Sequence, residues 1–195
     1  MFRKVVLVSL LAFSLCPLLN AAEDVPVPPV KDAPKKLETS LFKHPTAGWQ
    51  IEKPEHWKID ESLVKTVQDQ PKKGQLVGMF RFYDSETEAN LRIYWDHRLD
   101  PTDVVDESDA RKGMAESAAQ SLTLINQEIL HLKGGETYSI TATEPNGEVW
   151  VKIWAFLYDR KRTYIIKATV PQESMDSVYP ILENIIGTFK SVPTD

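Results

Sequence analysis

Through most of the chain, apolar and polar residues alternate with the period of two that places successive side chains on opposite faces of a β-strand. Such runs occupy 48–52, 63–69, 76–83 and 91–95, with the turn Pro71-Lys72-Lys73-Gly74 and the polar stretch 84–90 between them. A second group, 125–132, 137–143, 149–158 and 163–170, is punctuated by Gly134-Gly135, Asn146-Gly147 and Asp159-Arg160-Lys161-Arg162. Asn-Gly between alternating runs is a strong hairpin signal because both residues tolerate positive φ. The first group predicts antiparallel strands and the second a four-stranded meander.

Two segments follow the helical period instead. In 100–122, Asp100 can cap, Pro101 suits the first helical position, and Asp103, Asp106 and Glu107 favour the positive end of the helix dipole. Near the end of the chain, Met175, Val178, Tyr179, Leu182, Ile185, Ile186 and Phe189 form one broad apolar stripe. Proline disrupts a helix interior, so Pro180 predicts that regular helix begins near Ser177. Strands, a helix, a meander and a second helix predict an α+β fold, an antiparallel sheet with helices packed on it.

The meander strands differ in their faces. In 137–143, Tyr138, Ile140 and Ala142 oppose Thr137, Ser139, Thr141 and Thr143, as in a strand buried on one side. In 149–158 both faces are apolar: Val149, Val151, Ile153, Ala155 and Leu157 oppose Trp150, Trp154, Phe156 and Tyr158, and only Lys152 interrupts. That strand is expected to be covered on both sides. The aromatic set Trp150, Trp154, Phe156 and Tyr158 is either a second small core or the lining of a ligand groove.

Three regions precede or make up this pattern. Residues 1–22 combine the basic lead Phe2-Arg3-Lys4 with an apolar run too short for a membrane span, as in a cleaved signal peptide. Residues 23–38 contain Pro26, Pro28, Pro29 and Pro34 and read as an extended linker, either a plain tether or an arm that orders on a partner. Residues 39–192 are expected to form a single domain, large enough to be stable on its own core. Cys16 lies in the leader, so the mature chain has no thiol and no disulfide. Loss of Arg3 and Lys4 takes the basic count from 23 to 21 against 28 acids, a net charge near −7. An acidic chain argues against nucleic acid as a partner.

The aromatic and proline positions at the two ends of the domain carry a resemblance. Phe42-x-x-Pro45-x-x-Gly48-Trp49-x-Ile51-x-x-Pro54-x-x-Trp57 is one half of it. Tyr164-x-Ile166, Val170-Pro171 and Tyr179-x-x-Leu182-x-x-Ile185-Ile186-x-Thr188-Phe189-Lys190 are the other. Together they resemble the PsbP-like superfamily over about residues 41–191. The resemblance implies an antiparallel sheet sandwiched by helices and non-enzymatic binding or assembly roles. It carries over no functional residue, because the matching positions look like packing and turn residues. In such a start Trp49 and Ile51 face inward and Trp57 closes over the sheet edge.

The catalytic motifs are missing: there is no Gly-x-Ser-x-Gly, no glycine-rich phosphate loop and no His-Glu-x-x-His. No cofactor is implied. His44, His56, His97 and His131 are scattered and read as surface or turn residues. Asp84-x-Glu86-x-Glu88 could face a hard cation but lacks the glycine and closing glutamate of an EF-hand, so it reads as a solvated turn. Asp96-His97-x-x-Asp100 is explained by capping. The basic tip Arg160, Lys161 and Arg162 either keeps a hairpin solvated or steers an acidic partner. These features point to a periplasmic or secreted binding protein whose partner is another envelope protein, with no membrane span after cleavage. A small-ligand binder using the aromatic face is the second expectation, and an enzyme of unrecognised type the third.

Overall fold

A computed structural model describes residues 38–60, 67–69, 76–97, 100, 102–103, 106–133 and 135–192. The predicted signal peptide and residues 23–37 of the predicted linker lie outside them. All the described residues belong to one compact unit, Lys36–Asp195.

In chain order the strands are β1 (Thr39–Lys43), β2 (Trp49–Pro54), β3 (Lys58–Ile59), β4 (Val67–Asp69), β5 (Leu76–Tyr83) and β6 (Asn90–Asp96). Helix α1 (Glu107–Ala118) leads into the meander β7 (Thr123–Leu132), β8 (Gly135–Thr143), β9 (Val149–Tyr158) and β10 (Arg162–Pro171). A 3₁₀ turn (Gln172–Ser174), helix α2 (Met175–Thr188) and β11 (Lys190–Ser191) close the chain. Of the predicted strand 63–69, only 67–69 falls among the described residues.

The strands do not form one set. The larger sheet runs β3-β5-β6-β10-β9-β8-β7, with β4 also paired to β5, and every pairing is antiparallel. Strands β1, β2 and β11 make a separate three-stranded sheet. This corrects the expectation that the run at 48–52 joins the strands after it. Trp49 and Ile51, both fully buried, point into the core between the two sheets, and Trp57 is buried beside them.

One face of the large sheet packs against α2 and the small sheet. Phe80, Phe82, Leu91, Ile93, Trp95, Trp154, Tyr164 and Ile166 there meet Trp49, Val178, Leu182, Ile185, Ile186 and Phe189. The opposite face is covered by α1 over β8 and β9, where Ala115 and Ala119 meet Tyr138, Ile140, Ala142, Val151, Ile153 and Ala155. Among the described residues, β9 alone places buried side chains of both faces in the two cores, which is why it lacks an exposed face. The predicted one-sided strand at 137–143 keeps Thr141 and Thr143 half-exposed on its polar face, while Thr137 and Ser139 are fully buried, the Thr137 hydroxyl donating to the Ala155 carbonyl at 2.7 Å.

Local chemistry moved several predicted boundaries. The first helix starts at Glu107 and not near Asp100, because the Asp106 carboxylate accepts the Ser108 and Asp109 amides at 2.7 and 3.1 Å. Asp100 instead accepts the Thr102 amide and hydroxyl in a separate turn. The helix ends at Ala118, four residues early, because β7 begins at Thr123 and the chain must turn first, with the Leu122 amide on the Ala119 carbonyl. Helix α2 runs through Pro180 and starts at Met175, two residues ahead of expectation. Pro180 removes one backbone bond near the helix start, and the stripe Val178, Leu182, Ile185 and Ile186 buried on the sheet outweighs it, each buried aliphatic being worth roughly 1.5–3 kcal/mol.

Candidate functional site

The β9–β10 hairpin holds both sets of residues singled out in the sequence. Trp150, Trp154 and Phe156 are 2, 2 and 1% exposed. Trp150 meets Tyr179 of α2 edge-on at 5.3 Å, and Phe156 meets Phe189 at 5.0 Å. Tyr158, half-buried, stacks parallel to Phe156 at 6.1 Å. The two alternatives for this face resolve into the principal core, filled by the chain's own α2 and small sheet. Lys152 interrupts it as a buried cation, donating to Glu128 of β7 and to the Thr141 hydroxyl of β8, both at 2.8 Å. Glu128 stays half-open to water, so the pair ties β7, β8 and β9 in register.

At the tip, Asp159 and Arg160 both take left-handed backbone, φ 54° and 53°, and the Lys161 amide reaches the Tyr158 carbonyl at 3.1 Å. Two successive left-handed residues define a type I′ turn, which matches the twist of a hairpin but favours Asn-Gly. The Asn-Gly of this chain is used differently. Only Gly147 has positive φ there, 74°, while the Asn146 side chain accepts the Glu148 amide and donates to its carboxylate.

The three basic tip residues have different employments. Arg160 is exposed and pairs with Glu107 at the start of α1 at 3.1 Å. Arg162 is half-buried, pairs with Asp159 and donates to the Val192 carbonyl at 3.1 Å, pinning Val192 just after β11. Lys161 is exposed, and among the described residues no ion pair engages it.

Beneath the tip lies a buried polar group. The Tyr164 hydroxyl donates to the Gly48 carbonyl at 2.9 Å, with Ala47 at 3.3 Å and the Ser191 hydroxyl at 3.3 Å, joining the two sheets. Burial pushes the Tyr158 phenol above its ordinary range, with Tyr164 adding to the shift. Burial likewise raises Tyr164, against the hydrogen bond from Ser191. His97 packs edge-on to Tyr164 at 5.4 Å. Its titration is lowered to about 4, first by burial, then by the Arg162 cation, with Asp96 opposing.

His44 sits among Trp49, Phe80 and Trp95 at 5.1, 5.5 and 4.9 Å, and burial lowers it to about 4. Its Nδ1 accepts the Thr46 and Ala47 amides at 3.3 and 3.0 Å, so the ring proton resides on Nε2. The four histidines were expected at the surface or in turns; His44 and His97 lie just after β1 and β6 but are buried, and His56 and His131 are exposed. The signal for His44 was present in the sequence: it stands two positions after Phe42, on the inward parity of that strand, and precedes a proline turn.

The acidic loop after β5 is a closed turn. Asp84 is buried, and its carboxylate accepts the Glu86 amide at 3.2 Å and the Thr87 hydroxyl at 2.7 Å. Among the described residues no three side chains of metal-binding type converge, and no helix is long and apolar enough to cross a membrane.

This arrangement of elements has counterparts among solved structures. The solution structure of cyanobacterial PsbP (CyanoP) from Synechocystis superposes with a TM-score of 0.54 at 13% identity, over 83% of this chain and 97% of that one. The fold is PsbP-like. The Ran-binding protein Mog1p of Saccharomyces cerevisiae shares the PsbP-like fold, with a TM-score of 0.52 at 11% identity over 80% of this chain and 96% of its own. By sequence, no family model and no curated protein matches the chain. At such identities the PsbP-like likeness establishes architecture, and function has to be argued from the surfaces.

Proposed function

We propose that the protein is a non-enzymatic, extracytoplasmic binding or accessory protein that contacts another envelope protein through the tip of the β9–β10 hairpin. The observation that carries this reading is the turn itself, in which Asp159 and Arg160, neither a glycine, both hold left-handed backbone. That conformation costs an L-residue roughly 1–2 kcal/mol, and backbone outliers gather at contact sites. Here it holds Arg160 and Lys161 outward on a chain whose formal net charge is −5. A fixed basic projection on an acidic body raises the rate of encounter with an acidic partner. The aromatic residues Trp150, Trp154 and Phe156 serve as the rigid base of the projection. The extracytoplasmic setting rests on the basic lead and short apolar run of residues 1–22.

Thiol cross-linking tests the proposal, because Cys16, in the predicted leader, is the chain's one cysteine. A cross-linker on Lys161→Cys should capture one discrete envelope protein. Adding Arg160→Glu should weaken the capture several-fold. Glu173→Cys, exposed on the 3₁₀ turn, serves as the control position. Equal capture from both positions would reject the tip as the contact. Arg162 is left intact because it holds Val192.

A further inference from the structure

The outer face of β5, β6 and β10 lies beside α1. In the register of the sheet Arg81 is the cross-strand partner of Arg92, and Arg92 is the partner of Lys167. Three cations therefore stand in one row across three adjacent strands, all on the half-exposed side of strands whose alternate residues are buried. Like charges directly opposite each other destabilise a sheet.

Among the described residues, close partners offset only Arg81. Arg81 is held by the Asn90 side-chain oxygen at 2.8 Å, by the Tyr83 ring at 5.2 Å and by Asp60 at 3.9 Å. Among the described residues, neither Arg92 nor Lys167 has a carboxylate at ion-pair distance. Lys167 loses protons more readily than usual, first through burial and then through Arg92, with only Glu144 acting against this. Met79 and Tyr94 stand in the row on one side of the cations and Tyr83 in the row on the other, all half-exposed and ready for apolar contact.

We infer that this row is a docking surface for an acidic helix of a partner protein, distinct from the hairpin tip. Spacing favours a helix. Neighbouring strands lie about 4.8 Å apart, and carboxylates at i, i+3 or i+4 on a helix are about 5–6 Å apart. On an extended chain, alternate residues are separated by roughly 6.6 Å. A helix laid there would extend the layer that α1 begins over β8 and β9.

The test uses an alanine-based helical peptide with glutamate at i, i+4 and i+7, and the same peptide with glutamine, followed by amide NMR shifts at low ionic strength. The glutamate peptide should bind saturably, shift residues around Arg81, Arg92 and Lys167, and weaken as salt is added. Arg92→Glu should weaken binding at least tenfold while raising the melting temperature by about 2–4 °C, because it replaces two repulsions with two attractions. Lys167→Gln should weaken binding by a smaller factor, and Lys161→Glu at the tip should leave it unchanged, which separates this proposal from the previous one. Equal binding of the glutamine peptide, undiminished binding by Arg92→Glu, shifts confined to the hairpin tip, or binding only to anionic lipid vesicles would each overturn it.

Discussion

Acidification should destabilise this protein through two buried histidines. His44 and His97 are 5 and 6% exposed, and both are lowered from 6.5 to about 4 with burial as the first cause. At neutral pH the His44 Nδ1 accepts two backbone amides, so a second ring proton would set N–H against N–H and place a cation among three aromatic rings. A depressed folded value means that the unfolded chain takes the proton first. The stability contributed by each neutral histidine is complete above about pH 6.5 and is lost progressively as pH falls toward about 4. Each histidine then removes about 1.4 kcal/mol per pH unit. At about pH 5 the two together remove about 4 kcal/mol, a large share of a typical total of about 5–15 kcal/mol. Urea midpoints followed by tryptophan fluorescence across this range would measure the slope. His44→Asn, which keeps an acceptor near the Thr46 and Ala47 amides, should roughly halve it. A wild-type change below about 1 kcal/mol between neutrality and about pH 5 would refute the argument, as would an undiminished slope with both histidines replaced.

Trp49→Ala and Trp57→Ala should each lower stability by about 3–5 kcal/mol in denaturant titrations, since both rings are buried between the two sheets. Wild-type midpoints in both would deny them a core role. Glu128→Gln should cost about 3 kcal/mol, because it leaves Lys152 buried without its counter-charge, whereas Lys152→Met should cost less than about 1 kcal/mol, since Glu128 can turn to water. Comparable losses in the two variants would show that the charge on Lys152 is not the governing term.

The alternation of residues along the chain was enough to identify the class of fold. Runs such as 76–83 and 149–158 coincide with their strands, because a half-buried strand leaves a period-two record and a strand buried on both faces leaves a continuous apolar run between turns. The stripe from Met175 to Phe189 announced a helix for the same reason. The resemblance carried by Trp49, Trp57 and the final helix led to the PsbP-like architecture because those positions pack in the principal core. Boundaries were less legible. Asp100 and Asp106 offer the same capping chemistry, and only the structure shows that Asp106 caps the helix while Asp100 closes a separate turn.

Sequence indicated the neighbours within the meander but not how the remaining strands pair with it or with one another, and the candidate sites depend on that. Separation of β1, β2 and β11 into their own sheet is decided by Trp49 finding Phe80, Trp95 and Phe189, contacts between residues far apart in the chain. The aromatic face of β9 was expected as either a second core or a groove, and only the arrival of α2 and the small sheet filled it. His44 and His97 looked ordinary because burial is a property of surroundings and not of a residue. Arg81, Arg92 and Lys167 are each an unremarkable polar position on an alternating strand. They become one cationic row only because β6 pairs with β5 on one side and β10 on the other in a register that long-range packing sets.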